Sequence, residues 1–202
     1  MIMNILFVCT GNTCRSPMAQ ALLQEKSTYH VKSAGLSAIK GIPTSEGAIK
    51  ALATKGMSYK GSTQPITANL VEWSDLILTM TIQHKQRLVT KYPKALDKIY
   101  TLKEYVSDEQ EDIWLSLKKA YIKLEEKRLT VINKHGIEAS DQAWKDDLKK
   151  EQEEIERLEQ KLVDYDILDP FGRDQQAYLE TLAELDQAIA ALIKKLDQQP
   201  DL

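Results

Sequence analysis

Cysteine is scarce in this sequence: there are two in 202 residues, Cys9 and Cys14, and both lie in one loop. A reactive thiol in such a place needs a reducing compartment to stay active. Long apolar runs are missing too. No stretch reaches the roughly 18 residues of a membrane span, and no charged-then-apolar leader opens the chain. Neither membrane insertion nor secretion is expected, and a cytoplasmic setting is. Charge of one sign is also lacking: 27 Lys and Arg face 30 Asp and Glu, a net charge of -3, which argues against general nucleic-acid binding. Of the three histidines, His30 reads as a strand or surface residue and His84 as a helix-surface or supporting residue rather than a catalyst. With 43% hydrophobic residues, the length suits one domain, or one domain with an appendage, and an ample core.

What the sequence does have is concentrated near its start. Ile5-Leu6-Phe7-Val8 reads as a strand buried on both faces, and Ser16-Pro17 as the opening of a helix with a capping hydroxyl. Between them runs the loop Cys9-Thr10-Gly11-Asn12-Thr13-Cys14-Arg15-Ser16. A loop ending at a helix N-terminus directs its backbone N–H groups at an anion, and the helix dipole adds positive potential. Gly11 lets the backbone curl, and Arg15 offers two donors to a tetrahedral oxyanion. Amides, dipole and guanidinium together predict a thiolate at Cys9; such settings lower a thiol pKa to about 3.5–7.5. Ser16 is placed to donate to the Cys9 sulfur. A buried core cysteine beside an ordinary turn would explain Cys9 alone; Cys, five residues, Arg and Ser at a strand-to-helix junction point to a nucleophile aimed at phosphorus.

Beyond this loop the pattern alternates. A helix is expected at about 16–28, a short strand at 29–35, and a helix from Pro43 to Lys55 with Thr44 as cap candidate and Gly56 as stop. A short helix follows, capped by Thr67, then a strand from Asp75 to Met80, a helix from Thr81 to Lys91, a strand from Asp97 to Leu102, and a long final helix at 174–197. Strands and helices alternating at these lengths form a parallel sheet with helices on both sides, an α/β fold in three layers.

Cys9-Thr-Gly-Asn-Thr-Cys-Arg-Ser-Pro-Met-Ala19 resembles the signature of the low-molecular-weight protein tyrosine phosphatase family and, within it, most resembles the bacterial protein arginine phosphatases. The resemblance covers residues 3–106 and 164–197. It implies a four-stranded sheet of order 2-1-3-4 and catalysis through a phosphocysteine intermediate without metal or cofactor. Cys9, Arg15 and Asp169 would be catalytic; Thr10, Gly11, Asn12, Thr13, Cys14, Ser16 and Phe171 would bind substrate, and Ser33 would support the loop through Asn12. Read alone, Leu168-Asp169-Pro170-Phe171-Gly172 is a turn; within the family it is the general-acid loop, with Asp169 as proton donor. Thr13 and Phe171 stand where tyrosine-specific members usually carry a branched aliphatic residue and Tyr. A hydroxyl on the pocket floor can bond to a guanidinium, whereas a phenol gains nothing from it. The substrate is accordingly expected to be a phosphorylated protein, phosphoarginine first and phosphotyrosine as the alternative. The Met80-Thr81, Gln83-His84-Lys85 and Leu102-Val106 runs also resemble the arginine branch. Thiol-coupled arsenate reductases share the fold but need further cysteines that this chain lacks. A non-catalytic scaffold is the remaining reading, opposed by the intact Cys9, Arg15 and Asp169. Cys14 either fills the loop or forms a reversible disulfide with Cys9.

The family pattern leaves residues 108–163 unexplained, so the expected division is 1–107 with 164–202 as phosphatase domain and 108–163 as an insertion. The insertion holds 11 Lys and Arg against 15 Asp and Glu, leaving 16 against 15 elsewhere. Trp114, Leu117, Tyr121, Leu124 and Val131 recur at three-four spacing with Arg128 interrupting. After Gly136, Trp144, Leu148, Ile155, Leu158 and Leu162 do the same with Glu151 interrupting. Two antiparallel helices of about 25 residues, each roughly 37 Å long, are expected, with the base at the rim of the site. The insertion would be a docking arm for a protein partner, a self-association element, or a segment packing on itself. Leftover apolar faces favour a partner.

Overall fold

The computed structural model describes residues 2–107, 110–135, 141–159 and 164–198. The chain divides into two compact units, Met1–Val106 with Tyr165–Leu202, and Ser107–Asp164.

The first unit is built on four parallel strands in the order β2-β1-β3-β4: β1 (Asn4–Cys9), β2 (His30–Gly35), β3 (Leu76–Thr79) and β4 (Ile99–Thr101). The central strand β1 pairs with β2 from Asn4↔His30 to Cys9↔Gly35 and with β3 from Ile5↔Leu76 to Val8↔Thr79. Flanked on both sides and covered on both faces, it can be apolar throughout, and Ile5 to Val8 are fully buried. The two-residue period of a strand sorts these side chains. Ile5, Phe7 and Cys9 enter a cluster with Met18 and Leu22 of α1 (Arg15–Lys26) and Leu185, Ile189 and Leu192 of α8 (Gln175–Asp197). Leu6 and Val8 enter the opposite cluster, with Val71 of α3 (Ala68–Trp73) and Leu88 of α4 (Ile82–Lys91). α2 (Glu46–Ala53) and α5 (Leu102–Val106) pack with α1 and α8. The result is the expected three-layer α/β sheet. Burying each such large aliphatic or aromatic side chain contributes about 1.5–3 kcal/mol. Cys9 thus sits at the carboxyl end of the central strand, where the strand order reverses and open α/β sheets bind ligands.

Several boundaries differ from expectation for local reasons. α1 starts at Arg15, and Ser16 is not its cap: its hydroxyl is engaged by Cys9 and Asn12, and the N-cap position is Cys14 without a side-chain capping bond. α2 is capped by Ser45, not Thr44, since Ser45 Oγ accepts from Ala48 N at 3.4 Å while Thr44 donates to the Gly61 carbonyl. Thr67, Thr81 and Asp174 cap α3, α4 and α8 by accepting from the amide three residues on. β4 begins only at Ile99 because Pro93 opens a 3-10 turn through Lys98.

In the second unit, α6 (Gln110–His135) and α7 (Asp141–Glu159) run antiparallel. Ala120 and Leu124 pack on Leu158 and Ile155, and Lys127 Nζ lies 3.6 Å from Glu151 Oε1. Val131 and Leu148 are buried as expected, but Tyr121 is not in the seam: it is 44% exposed and Ala120 takes its place. A seam at 120, 124, 127 and 131 keeps the three-four spacing with a different start. Arg128 points outward to Glu125, whereas Glu151 stays inside the seam, 6% exposed. Gly136 and Leu162, and the side chains of Trp114, Leu117 and Trp144, lie outside what is described.

Candidate active site

The loop after β1 encloses the Cys9 thiol. Ser16 Oγ stands 3.0 Å from Cys9 Sγ, and the Asn12 amide donates to it at 3.2 Å. The Asn12 amide is a donor to the sulfur, while in the Ser16 contact either the hydroxyl or the thiol can donate. Asn12 is the tie that shapes the loop. Its backbone is left-handed, φ 56°, a conformation asparagine accepts more readily than most residues. Its Nδ2 donates to Ser16 Oγ and Ser33 Oγ, each at 2.9 Å, and its Oδ1 accepts from Gln64 N at 2.9 Å. Ser33 passes the chain on by donating to Gln20 Oε1. Gly35, opposite Cys9 on β2, allows this approach: a Cβ there would lie 2.7 Å from the Thr10 carbonyl oxygen and 2.8 Å from the Asn12 nitrogen.

Arg15 is 5% exposed and aims its guanidinium across the loop. Nη1 donates to the Ile167 carbonyl at 3.1 Å, and Nη2 meets Asp169 Oδ2 at 2.5 Å. The segment carrying Asp169 is itself anchored. Ile167 N donates to the Met80 carbonyl, Ile82 N to Asp166 Oδ1 at 2.7 Å, and Leu168 N to Glu184 Oε2 at 3.2 Å. Phe171 N then turns back onto Asp169 Oδ1 at 3.1 Å.

These elements enclose a cavity of ≈ 340 Å³. Thr10, Gly11, Thr13, Cys14 and Arg15 line it together with Cys9, Asp169 and Phe171. Asn12 and Ser16 are behind this surface, 2% and 0% exposed, and act on the site through Cys9 and the loop. Phe171 is 69% exposed at the mouth, joined by Ile39 and Ile42, which the sequence pattern did not single out. Cys14 Sγ lies among hydroxyls, 3.4 Å from Thr13 Oγ1, 3.2 Å from Ser45 Oγ and 3.6 Å from Tyr178 Oη. Burial and the bond to Cys14 raise the Tyr178 pKa. Both cysteines are free thiols.

Of the two places expected for His84, the structure gives the supporting one and not the helix surface. His84 is 5% exposed, and its Nε2 lies 2.8 Å from Thr10 Oγ1. Burial first, then the Arg15 charge, lower its pKa to about 4, so the ring is neutral near pH 7. The signal was present in Thr81-Ile-Gln-His84: the cap fixes the first turn of α4, and His84 N donates to Thr81 Oγ1 at 3.1 Å. Among the described residues no three His, Cys, Asp or Glu side chains are grouped to hold a metal ion.

The arrangement presents a thiol, a buried guanidinium and a carboxylate to one cavity. The chain as a whole is similar to known proteins. The chain is 42% identical over 116 residues, 55% of its length and 77% of the relative's, to a protein named protein-arginine-phosphatase from Bacillus subtilis. It is 40% identical over 106 residues, 52% of its length and 73% of the relative's, to a probable low molecular weight protein-tyrosine-phosphatase from Ralstonia nicotianae. The solved YwlE arginine phosphatase from Geobacillus stearothermophilus superposes with a TM-score of 0.69 at 31% identity, covering 98% of this chain and 94% of that one. The family model for low molecular weight phosphotyrosine protein phosphatases matches residues 4–154. That match ends before Asp169, which the folded chain returns to the Cys9 loop. By a match over more than half its length, the chain belongs to the low molecular weight phosphotyrosine protein phosphatase family.

Proposed function

We propose that the chain is a protein arginine phosphatase that works through a phosphocysteine intermediate. The observation that carries the substrate choice is Thr13, whose side chain lines the cavity beside Cys9 and leaves a hydroxyl where a phenol ring would need an apolar floor. The identity to the Bacillus subtilis arginine phosphatase supports the same choice.

Cys9 attacks phosphorus in line as a thiolate: the S–P bond forms as the P–N bond to the arginine side chain breaks. Arg15 and the backbone amides of residues 10–15 hold the equatorial oxygens, where charge collects in a loose transition state. Asp169 gives its proton to the departing nitrogen. Water then attacks phosphorus, the P–S bond breaks, and Asp169 takes the water proton back while Ser16 donates to the returning sulfur. For Asp169 to reach the leaving atom, the phosphoryl oxygens must displace it from Arg15.

The test compares kcat/KM on one peptide carrying phosphoarginine with its phosphotyrosine counterpart, with Cys9→Ser as blank. The expected result is preference for phosphoarginine that is lost in Thr13→Ile. Preference for phosphotyrosine in the wild type overturns the substrate choice and leaves the mechanism standing.

The 108–163 hairpin serves as a contact element for a protein partner or a second copy. Ile122 and Leu129, 51% and 62% exposed on α6, support this. Deleting 108–163 is expected to abolish self-association, or capture of the partner, and to leave aryl phosphate hydrolysis intact. Two free thiols suit a reducing, cytoplasmic setting. Among the described residues no helix is long and apolar enough to cross a membrane.

A further inference from the structure

His84 is a buried titratable group that touches the Cys9 loop and that the mechanism above does not use. Its position is determined on two sides. Its amide is held by the Thr81 cap at 3.1 Å, and its ring reaches Thr10 Oγ1 with Nε2 at 2.8 Å. The other ring nitrogen, Nδ1, is buried and has no hydrogen-bond partner among the described residues. A neutral imidazole carries one N–H donor and one bare acceptor. A buried donor without an acceptor is rarer and costlier than an unfilled lone pair. The proton therefore belongs on Nε2, where Thr10 Oγ1 can accept it. Thr10 has one hydroxyl proton, and with His84 supplying the donor of the shared bond that proton is released for another acceptor. Thr10 lines the cavity beside Cys9, Gly11 and Arg15.

We propose that His84 is a positioning residue acting through Thr10: its Nε2–H donates to Thr10 Oγ1 and turns the threonine hydroxyl into a donor to the phosphoryl group in the cavity. The neutral ring agrees with this, because the burial and the Arg15 charge that keep His84 unprotonated make it a fixed dipole rather than a proton carrier. Rather than exchanging protons with substrate, the histidine decides the direction of one hydrogen bond next to the nucleophile. The alternative direction, Thr10 donating to Nε2, would bury a lone Nδ1–H and leave the cavity a hydroxyl that can only accept, which repels a phosphoryl oxygen. The inference rests on the proposal that the cavity takes a phosphoryl group.

Binding is tested apart from turnover by protection of Cys9 from iodoacetate alkylation with inorganic phosphate. Thr10→Val and His84→Phe are each expected to raise the half-protecting phosphate concentration about tenfold, the scale of one hydrogen bond to a charged group. The double variant should be no worse than either single, and His84→Gln, which places an amide N–H near Nε2, should stay within about twofold of wild type. Nitrogen NMR of the wild type should show the proton on Nε2 of His84, a readout that requires no variant to fold. An unchanged Thr10→Val, multiplicative losses in the double variant, a His84→Gln as poor as His84→Phe, or a proton on Nδ1 would each overturn the inference. Phosphate protection without hydrolysis of either phosphopeptide would remove the proposed function while the variant pattern still decides the role of His84.

Discussion

Arg15 Nη2 lies 2.5 Å from Asp169 Oδ2, an ion pair closed across 154 residues of chain between the first residue of α1 and the loop before α8. The arginine is 6% exposed at its side chain and the aspartate 51%. One partner is fixed and the other is free to leave, as a general acid that must meet both an empty and an occupied site has to be.

Asp169→Asn is expected to lower kcat on the phosphoarginine peptide by about 10²–10⁴, the range for loss of a general acid. The loss should be smaller on p-nitrophenyl phosphate, whose leaving group departs without a proton. An equal loss on both substrates would show that Asp169 acts on the loop or on Arg15 instead.

Gly35→Ala should cost about 1–3 kcal/mol of stability and most of the activity. The new Cβ meets backbone atoms of Thr10 and Asn12, which cannot swing aside as a side chain could. Thermal unfolding and kcat/KM on aryl phosphate check the two parts. A normal Tm with normal activity would mean that the loop tolerates a shift of β2.

The folded state holds the His84 pKa near 4 while an unfolded histidine titrates near 6.5. Arg15 and Arg87 oppose charging of the ring, and Asp166 and Asp169 favour it less strongly than burial disfavours it. Above the unfolded value both states are neutral and His84 adds no pH dependence. Between pH 6.5 and about 4 only the unfolded chain takes up the proton, so stability falls on acidification, by up to about 2–3 kcal/mol at one proton. In His84→Gln this part of the Tm decline should vanish. A wild-type Tm that is flat from pH 6.5 to 4.5 would contradict it.

Glu151 is buried in the α6–α7 seam with Oε2 unpartnered among the described residues and Lys127 3.6 Å from Oε1. Replacing the carboxylate by an apolar side chain removes its burial penalty, and Lys127, 43% exposed at its side chain, is left in contact with water rather than as a buried charge. Glu151→Leu should therefore slow amide hydrogen exchange in α6 and α7. Faster exchange would show that the carboxylate holds the register of the two helices.

Much of this architecture was legible because it is local. Four apolar residues before Cys9, a glycine and an arginine at set distances, and the cap at Thr67 are physical constraints that act within one turn or one strand. The seam of the hairpin was legible in its spacing but not in its phase. Tyr121 and Ala120 both fit a three-four repeat, and only the partner helix selects which one turns inward.

The sequence by itself determined the strand, loop and helix that cradle Cys9, because backbone sterics, capping and strand alternation are set by neighbouring residues. The tertiary structure alone decided that Asp169 meets Arg15, that Gly35 must lack a side chain, and that His84 reaches Thr10. Each of these depends on elements distant in sequence meeting at the carboxyl edge of the sheet. That meeting follows from the 2-1-3-4 order and the packing of α1 and α8 on one face.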